Sequence, residues 1–247
     1  MRFLRSKIGK TVHCDQRARA PRCLSAAAIL SKEVPSELTF IPDYFSLHEQ
    51  CVLLKASLTK LDAVESRQAL RHRKSLPPLP PCISPTKAAD IFLPDRYYHF
   101  YEGHLDGVIR NYRETHLTAW PEHELQGLTP VLKRLYDLTP TRDVQTHLLH
   151  LASDGEIRPH VDNVTASGNW ILGVSLGADR ILRLESMDES DNYDVLLPSG
   201  SLYIQEGNLR YNYKHSILNA REFRGEKLAG GQRLSIMIRD LFRPNLV

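Results

Sequence analysis

Ile157-Arg158-Pro159-His160-Val161-Asp162 is the stretch of this 247-residue chain that says most about its fold and chemistry. Alternate residues of a β-strand point to one side of a sheet, so His160 and Asp162 present an imidazole beside a carboxylate. A further histidine, His215, stands on a later predicted strand. Two histidines and one carboxylate on one side of Fe(II) leave coordination positions free for a co-substrate and O2. We therefore predict that His160, Asp162 and His215 bind iron, although an isolated His-x-Asp is more often a polar pair on a strand surface.

Short apolar or alternating runs separated by turn residues surround this motif. Their spacing predicts an antiparallel sandwich or barrel preceded by two helices. Pro198-Ser199-Gly200 is typical of a hairpin turn between the strands at 194–197 and 201–204. The predicted strands are 144–151, 157–162, 170–176, 180–185, 194–197, 201–205, 211–218 and 232–239.

Two helices and a proline-rich insertion are expected before the sheet. Ser46-Leu47-His48-Glu49 has the form of a capping box, and leucines at helical spacing extend the predicted helix over 46–73. The charged run 71–74 is interpreted as its solvated end rather than as a nucleic-acid patch. Thr129 as N-cap and Pro130 in the first turn predict the second helix. Prolines crowd residues 75–95, which predicts a surface insertion without helix or central strand.

Composition favours one globular domain over 31–247, with 42% hydrophobic and 25% charged residues in the whole chain. No run approaches the roughly 18 apolar residues of a membrane span. The net charge is +3, but residues 1–30 hold seven basic residues and one acid, so the remainder carries −3. A domain that binds a polyanion is expected to be more basic than this.

Residues 1–30 are rich in arginine, nearly free of acids, and contain only scattered apolar residues. This composition predicts a mitochondrial transit peptide rather than a secretory signal, with a disordered basic tail as the alternative. The chain has four cysteines and no Cys-x-x-Cys pair. Free thiols in a reducing compartment are the simplest interpretation.

A second chemical motif lies near the C-terminus, in Arg233-Leu234-Ser235-Ile236-Met237-Ile238-Arg239. Alternation places Arg233 and Arg239 on the same face of a strand, opposite its three apolar residues. The planar fork of an arginine matches a carboxylate with two hydrogen bonds. We predict that Arg233 binds the distal carboxylate of a dicarboxylate, and that Arg239 lies near its other end or orients Asp162. The alternative is that both arginines face solvent.

The order and spacing of these motifs resemble AlkB-type Fe(II)/2-oxoglutarate dioxygenases, and within them the mitochondrial branch named AlkB homologue seven. The resemblance covers residues 38–247 apart from the insertion. It implies an α+β fold with a double-stranded β-helix (jelly-roll) core and N-terminal flanking helices. It also implies Fe(II), 2-oxoglutarate and O2 as reactants, and Tyr203 beside Arg233 at the distal carboxylate. Segments that carry it include Arg113-Glu114-Thr115 with Trp120, 157–162, Gly200-Ser201-Leu202-Tyr203-Ile204 and Lys214-His215-Ser216-Ile217-Leu218.

The chain departs from many AlkB relatives in one respect. They carry Asn-x-Tyr about ten residues before His-x-Asp, where both side chains touch the co-substrate, whereas this chain has Leu148-Leu149-His150-Leu151. We expect a more apolar pocket wall there, with Tyr203 taking over part of the anchoring. His147 and His150 are candidates for structural or supporting roles.

The resemblance implies a monomeric dioxygenase of the mitochondrial matrix that hydroxylates a protein or protein-associated substrate, with links to lipid metabolism and regulated necrosis. The alternative is N-demethylation of mitochondrial RNA, gripped by Arg110, Tyr112 and Arg113. A non-catalytic interaction module would be free to lose the complete His-Asp-His and Arg233 set. A cupin or Jumonji-type oxygenase would lack the terminal pair of arginines.

Overall fold

The computed structural model describes residues 35–80 and 82–241. The predicted transit peptide at 1–30 lies outside these residues. The helices are α1 (Leu47–Ala63), α2 (Arg67–Ser75), α3 (Leu128–Tyr136) and α4 (Gly207–Asn212). The strands are β1 (Leu38–Ile41), β2 (Tyr101–Gly103), β3 (Ile109–Leu117), β4 (Val144–His160), β5 (Ser167–Gly177), β6 (Arg180–Ser186), β7 (Asn192–Leu197), β8 (Ser201–Glu206), β9 (Tyr213–Leu218), β10 (Glu222–Phe223), β11 (Glu226–Lys227) and β12 (Arg233–Leu241).

A curled antiparallel sheet in the order β1-β8-β5-β12-β4-β9-β6-β7 forms the core, and the β2–β3 hairpin joins it through β4. Strand β4 is long enough to serve two layers. Its first half pairs with β12, from Val144↔Asp240 to Leu151↔Arg233, and its end pairs with β9 at His160↔His215. The two layers face each other, which is the predicted jelly-roll arrangement.

Two apolar clusters hold the layers and helices together. The first lies between helices α1 and α3 and the outer face of the larger layer, and includes Leu53, Leu132, Leu148 and Ile236. The second fills the space between the two layers, with Leu149, Leu182, Val195 and Ile217 among its members. Strands β5 and β8 of the larger layer are buried on both faces because each cluster covers one of them.

The predicted helix over 46–73 is in fact two helices. The capping box is confirmed: the Ser46 hydroxyl accepts from Glu49 N, and Ser46 N donates to Glu49 Oε2 at 2.9 Å. Helix α1 nevertheless ends at Ala63, because Ser66 caps a new helix by accepting from Ala69 N at 3.1 Å. None of the helices in the described part of the chain is long and apolar enough to cross a bilayer.

The predicted start of the second helix is wrong by two residues. Helix α3 is preceded by Gly127, whose φ of 83° ends the incoming loop. The Thr129 hydroxyl does not cap the helix, because it donates to Glu122 Oε2 at 2.8 Å.

The hairpin predicted at Pro198-Ser199-Gly200 is also wrong. The turn is present, with Ser201 N donating to Pro198 O at 3.1 Å and Gly200 at φ 87°. However, within the described ranges β7 pairs with β6, whereas β8 pairs with β1 and β5. The turn therefore carries the chain from one layer to the other.

Two separately predicted strands, 144–151 and 157–162, are joined in β4 with an irregularity between them. The predicted strand 211–218 begins only at Tyr213, after helix α4. The insertion at 75–95 lies at the surface where described, except that Ala88 is buried in a short 3-10 helix, Ala88–Ile91.

A buried ion cluster joins helices α1 and α2 to the sheet. Arg113 Nη1 on β3 lies 2.7 Å from both Asp62 Oδ1 and Glu65 Oε1. Arg73 pairs with the same two carboxylates at 2.8 and 2.6 Å, so this member of the charged run 71–74 is not the solvated side chain that we expected. The side chains of Arg113 and Glu65 are only 4% and 6% exposed. The cluster fixes the helices against the sheet that carries the site.

Glu65→Gln is expected to lower the free energy of unfolding by about 3 kcal/mol, because it removes one of the two carboxylates that balance the buried arginine charge. Chemical denaturation monitored by circular dichroism measures this. The exposed control Glu226→Gln should change stability by less than about 0.5 kcal/mol. Equal stability of the two variants would contradict the structural role of the cluster.

Candidate metal centre and dicarboxylate pocket

The three predicted metal ligands converge. His160 closes β4, His215 stands opposite it on β9, and Asp162 follows two residues after the end of β4. One ligand atom from each residue lies within 4.8 Å of the others. Asp162 Oδ1 is 3.1 Å from His160 Nε2 and 3.6 Å from His215 Nε2. Among the described residues, this is the group of histidines and acids that could hold a metal ion.

Neighbouring groups set the protonation of the three ligands. His160 Nδ1 lies 2.9 Å from Arg158 O and donates its hydrogen to it, so Nε2 is the nitrogen that faces the centre. Burial would lower the pKa of His160, but its hydrogen bonds to Asp162 and Arg158 raise it. Burial lowers the pKa of His215 to about 4. Burial alone would raise the pKa of Asp162, but His160, His215 and Arg239 hold it well below its usual value. The centre thus offers a carboxylate and at least one neutral imidazole at neutral pH, as Fe(II) requires.

Arg233 lies in the pocket that contains this centre. It is 1% exposed, and its Nε donates to Ser175 Oγ at 3.0 Å. Its Nη1 and Nη2 are buried and have no hydrogen-bond partner among the described residues. A buried guanidinium without a partner is costly, so an anion is needed to satisfy these two donors. The alternative that Arg233 faces solvent is therefore wrong.

The Tyr203 ring reaches the same pocket because its neighbour across the sheet is a glycine. Gly173 pairs with Tyr203, and a Cβ at Gly173 would lie 2.3 Å from the Tyr203 ring. Burial raises the pKa of Tyr203, and the nearby Arg233 partly offsets this. The tyrosine therefore stays protonated and can donate to an anion bound by Arg233.

Arg239 lies at the metal end of the pocket. Its Nη1 is 3.4 Å from Asp162 Oδ2, the carboxylate oxygen that has no hydrogen-bond partner in the described part of the chain. The predicted alternation of β12 is confirmed, since Arg233, Ser235, Met237 and Arg239 line the pocket while Leu234, Ile236 and Ile238 lie in the apolar cluster on the other side. Leu149 supplies the apolar wall expected in place of the Asn-x-Tyr residues.

His147 and His150 point to opposite faces of β4. His147 lines the pocket. His150 is fully buried on the helix side, where its Nδ1 accepts from Arg113 Nε at 3.0 Å and its ring stacks on Phe92. His150 is therefore a structural residue, and His147 belongs to the site.

Sequence reasoning missed Arg210. This residue of helix α4 is 2% exposed, and its Nη1 and Nη2 donate to Asp162 O at 3.2 Å and Ser167 Oγ at 2.7 Å. These bonds hold the turn after Asp162. Helix α4 has six residues and was interpreted as the start of a strand, so no sequence signal connected Arg210 to a motif 48 residues earlier.

Two of the three residues considered for gripping RNA are not at the surface. Arg113 is 3% exposed within its ion cluster, and Tyr112 is 6% exposed. Arg110 remains exposed, 4.0 Å from Glu156. The expectation that all three hold a nucleic-acid strand is wrong.

Comparison with known proteins agrees with this geometry. The family model described as the 2OG-Fe(II) oxygenase superfamily matches residues 37–239. Similar curated proteins include the alpha-ketoglutarate-dependent dioxygenase alkB homolog 7, mitochondrial, from Bos taurus (36% identical) and Mus musculus (34%). Each match extends over 141 residues, or 56% of this chain and 64% of the relative.

The fold is also found among solved structures. The structure of OsALKBH1 superposes with a TM-score of 0.52 at 12% identity, covering 85% of this chain and all of that one. This likeness supports the jelly-roll fold. Since the family model matches most of the sequence, the chain belongs to the 2OG-Fe(II) oxygenase superfamily.

Proposed function

We propose that the chain is a mitochondrial dioxygenase that uses Fe(II) and 2-oxoglutarate to oxidise a polypeptide substrate. The observation that carries the proposal is the buried guanidinium of Arg233, whose Nη1 and Nη2 have no hydrogen-bond partner among the described residues, in the same pocket as His160, Asp162 and His215. A non-catalytic interaction module does not need this combination. The mitochondrial location is supported by the names of the similar bovine and mouse proteins.

The pocket residues form two groups, one that would bind the metal and one that would bind the distal carboxylate. His160, Asp162 and His215 would hold Fe(II), Arg233 and Tyr203 would bind the distal carboxylate of 2-oxoglutarate, and Arg239 would orient Asp162 and the chelated end. When bound, the metal and co-substrate activate O2 to oxidise a C–H bond, while 2-oxoglutarate becomes succinate and CO2. The apolar side chains of Ile109, Leu149 and Ile157 line the pocket and limit the access of water.

A polypeptide substrate suits the charge of the domain. The whole chain has a net charge of +3, and residues 1–30 alone carry +6. Residues 31–247 therefore carry −3. Near the pocket, Arg110 and Arg158 lie 4.0 and 3.6 Å from the same carboxylate, that of Glu156. A domain with net negative charge is a poor match for a phosphate backbone, which dominates the affinity of nucleic-acid binders.

The proposal includes the compartment, the cellular role and the product of the reaction. The arginine-rich composition of residues 1–30 favours import into the matrix. The resemblance to AlkB homologue seven supports a role in lipid metabolism and regulated necrosis. Oxidation of an N-methyl carbon would release formaldehyde, whereas oxidation of another carbon would leave a hydroxyl group.

Asp162→Ala is expected to abolish iron-dependent formation of succinate from 2-oxoglutarate, because the metal loses its one anionic ligand. The measurement is anaerobic Fe(II) titration followed by succinate detection in air. The exposed control Asp154→Ala, on the same strand, should behave as wild type. Normal turnover in Asp162→Ala would remove the metal assignment.

Arg233→Ala is expected to raise the concentration of 2-oxoglutarate needed for half-maximal turnover by about 100-fold, since breaking a buried charged pair costs about 3 kcal/mol. Steady-state succinate production measures it. Arg142→Ala, at an exposed position, is the matched control. An unchanged requirement in the Arg233 variant would reject its role as the anchor.

Cells that express the wild-type chain are expected to show oxidised or demethylated residues in mitochondrial protein that are missing in cells with Asp162→Ala. Untargeted mass spectrometry of mitochondrial protein and RNA makes the comparison. A mass change found only in RNA would contradict the polypeptide substrate and favour RNA N-demethylation. No difference in either class would favour a non-catalytic module.

A further inference from the structure

The Arg239 guanidinium contacts two side chains, that of the proposed metal ligand Asp162 and that of His147. Its Nη1 faces Asp162 Oδ2 at 3.4 Å, and its Nη2 lies 3.4 Å from His147 Nδ1. The Arg239 side chain is 14% exposed. Because a guanidinium carries only donors, His147 must present the lone pair of Nδ1 to it. Its ring hydrogen then lies on Nε2.

Glu114 stands on the other side of the His147 ring. Its Oε2 lies 3.0 Å from His147 Nε2, as an electrostatic contact rather than a straight hydrogen bond. Burial would raise the pKa of Glu114, but His147 and its neighbours keep the pKa below its usual value. The carboxylate therefore favours the hydrogen on Nε2, which is the tautomer that Arg239 needs.

Backbone pairing does not explain why residue 147 is a histidine. His147 pairs with Met237 on β12 and with His116 on β3, and any strand-forming residue could make these bonds. An apolar residue at 147 would extend the wall formed by Leu149 without the desolvation cost of a buried imidazole. The polarity of this position therefore needs a reason other than folding.

We propose that Glu114 and His147 are positioning residues that hold the Arg239 guanidinium against Asp162 Oδ2. With Oδ2 held in this way, Asp162 offers only Oδ1 to the metal, on the side where His160 and His215 present their Nε2 atoms. The coordination positions needed by 2-oxoglutarate then stay free. This inference rests on the proposed function and adds two residues to it. The glutamate of Arg113-Glu114-Thr115 thereby gains a role distinct from that of its buried neighbour Arg113.

The test uses His147→Leu and Glu114→Gln in the full chain, with His147→Gln as the conservative variant. A glutamine can accept from Arg239 with its oxygen and donate toward Glu114 with its nitrogen. His116→Leu is the matched control, since His116 stacks on His147 at 4.6 Å but has no contact with Asp162. The readout is the affinity of the anaerobic Fe(II) protein for 2-oxoglutarate, followed by its visible charge-transfer absorption.

We expect His147→Leu to weaken 2-oxoglutarate binding by about 10- to 100-fold, as loss of outer-sphere partners of metal ligands does elsewhere, and to shift the absorption maximum. Glu114→Gln should have a smaller effect in the same direction, and His147→Gln should recover most of the affinity. His116→Leu should stay within about twofold. Thermal unfolding of each apoprotein identifies any variant that fails to fold. If His147→Leu fails to fold, the result with Glu114→Gln tests the proposal.

Wild-type affinity and an unshifted absorption maximum in His147→Leu and Glu114→Gln would overturn the positioning role while leaving the proposed function intact. Equal losses in His147→Gln and His147→Leu would also overturn it, because a polar replacement would then be no better than an apolar one. If the wild-type Fe(II) protein itself gave no absorption change with 2-oxoglutarate, the proposed function and this inference would fail together.

Discussion

The pairing of strand β4 with two different layers is the constraint on which the site depends. Its first half is fixed to β12 and its end to β9. Because side chains alternate, this register turns Arg233 and Arg239 into the same interior that receives His160. A slip of one residue between β4 and β12 would turn both arginines toward the helices and bring Leu234 into the pocket. The positions of the proposed metal ligands and of the proposed carboxylate anchor are therefore consequences of one pairing pattern.

The same alternation separates two histidines that look equivalent in the sequence. His147 and His150 are an odd number of positions apart, so a continuous strand sends them to opposite faces. His150 meets Arg113, which is held by the acids of helix α1 and the loop after it, and thus connects the helices to the sheet. His147 contacts Arg239 and lines the pocket that contains the proposed metal ligands. One strand thus carries a structural histidine and a pocket histidine.

Sequence reasoning succeeded where a rule of period two or a local cap decides the outcome. The two faces of β12 and the Ser46 capping box follow from spacing alone, whereas Asp162 reaches His160 from beyond the end of β4. The sequence-based predictions were wrong where contacts between residues far apart in the chain determine the structure. The break between α1 and α2 reflects the local cap of Ser66 together with acids that bind Arg113 from β3. The partners of β7 and β8 are chosen by burial in different layers, which the turn between them does not encode. Arg210 reaches Asp162 only after the jelly roll has closed.

Charge balance connects these residues to the co-substrate. Fe(II), Arg233 and Arg239 would bring four positive charges to the pocket, and the buried Arg210 adds another beside Asp162. Asp162 and Glu114 supply two negative charges. A dicarboxylate compensates more of the remaining positive charge than a monocarboxylate does, and uncompensated charge is costly at low dielectric. The pocket therefore favours a dicarboxylate by charge as well as by the position of Arg233, and Glu114 is part of that selection although it lies beyond the residues that touch the ligand.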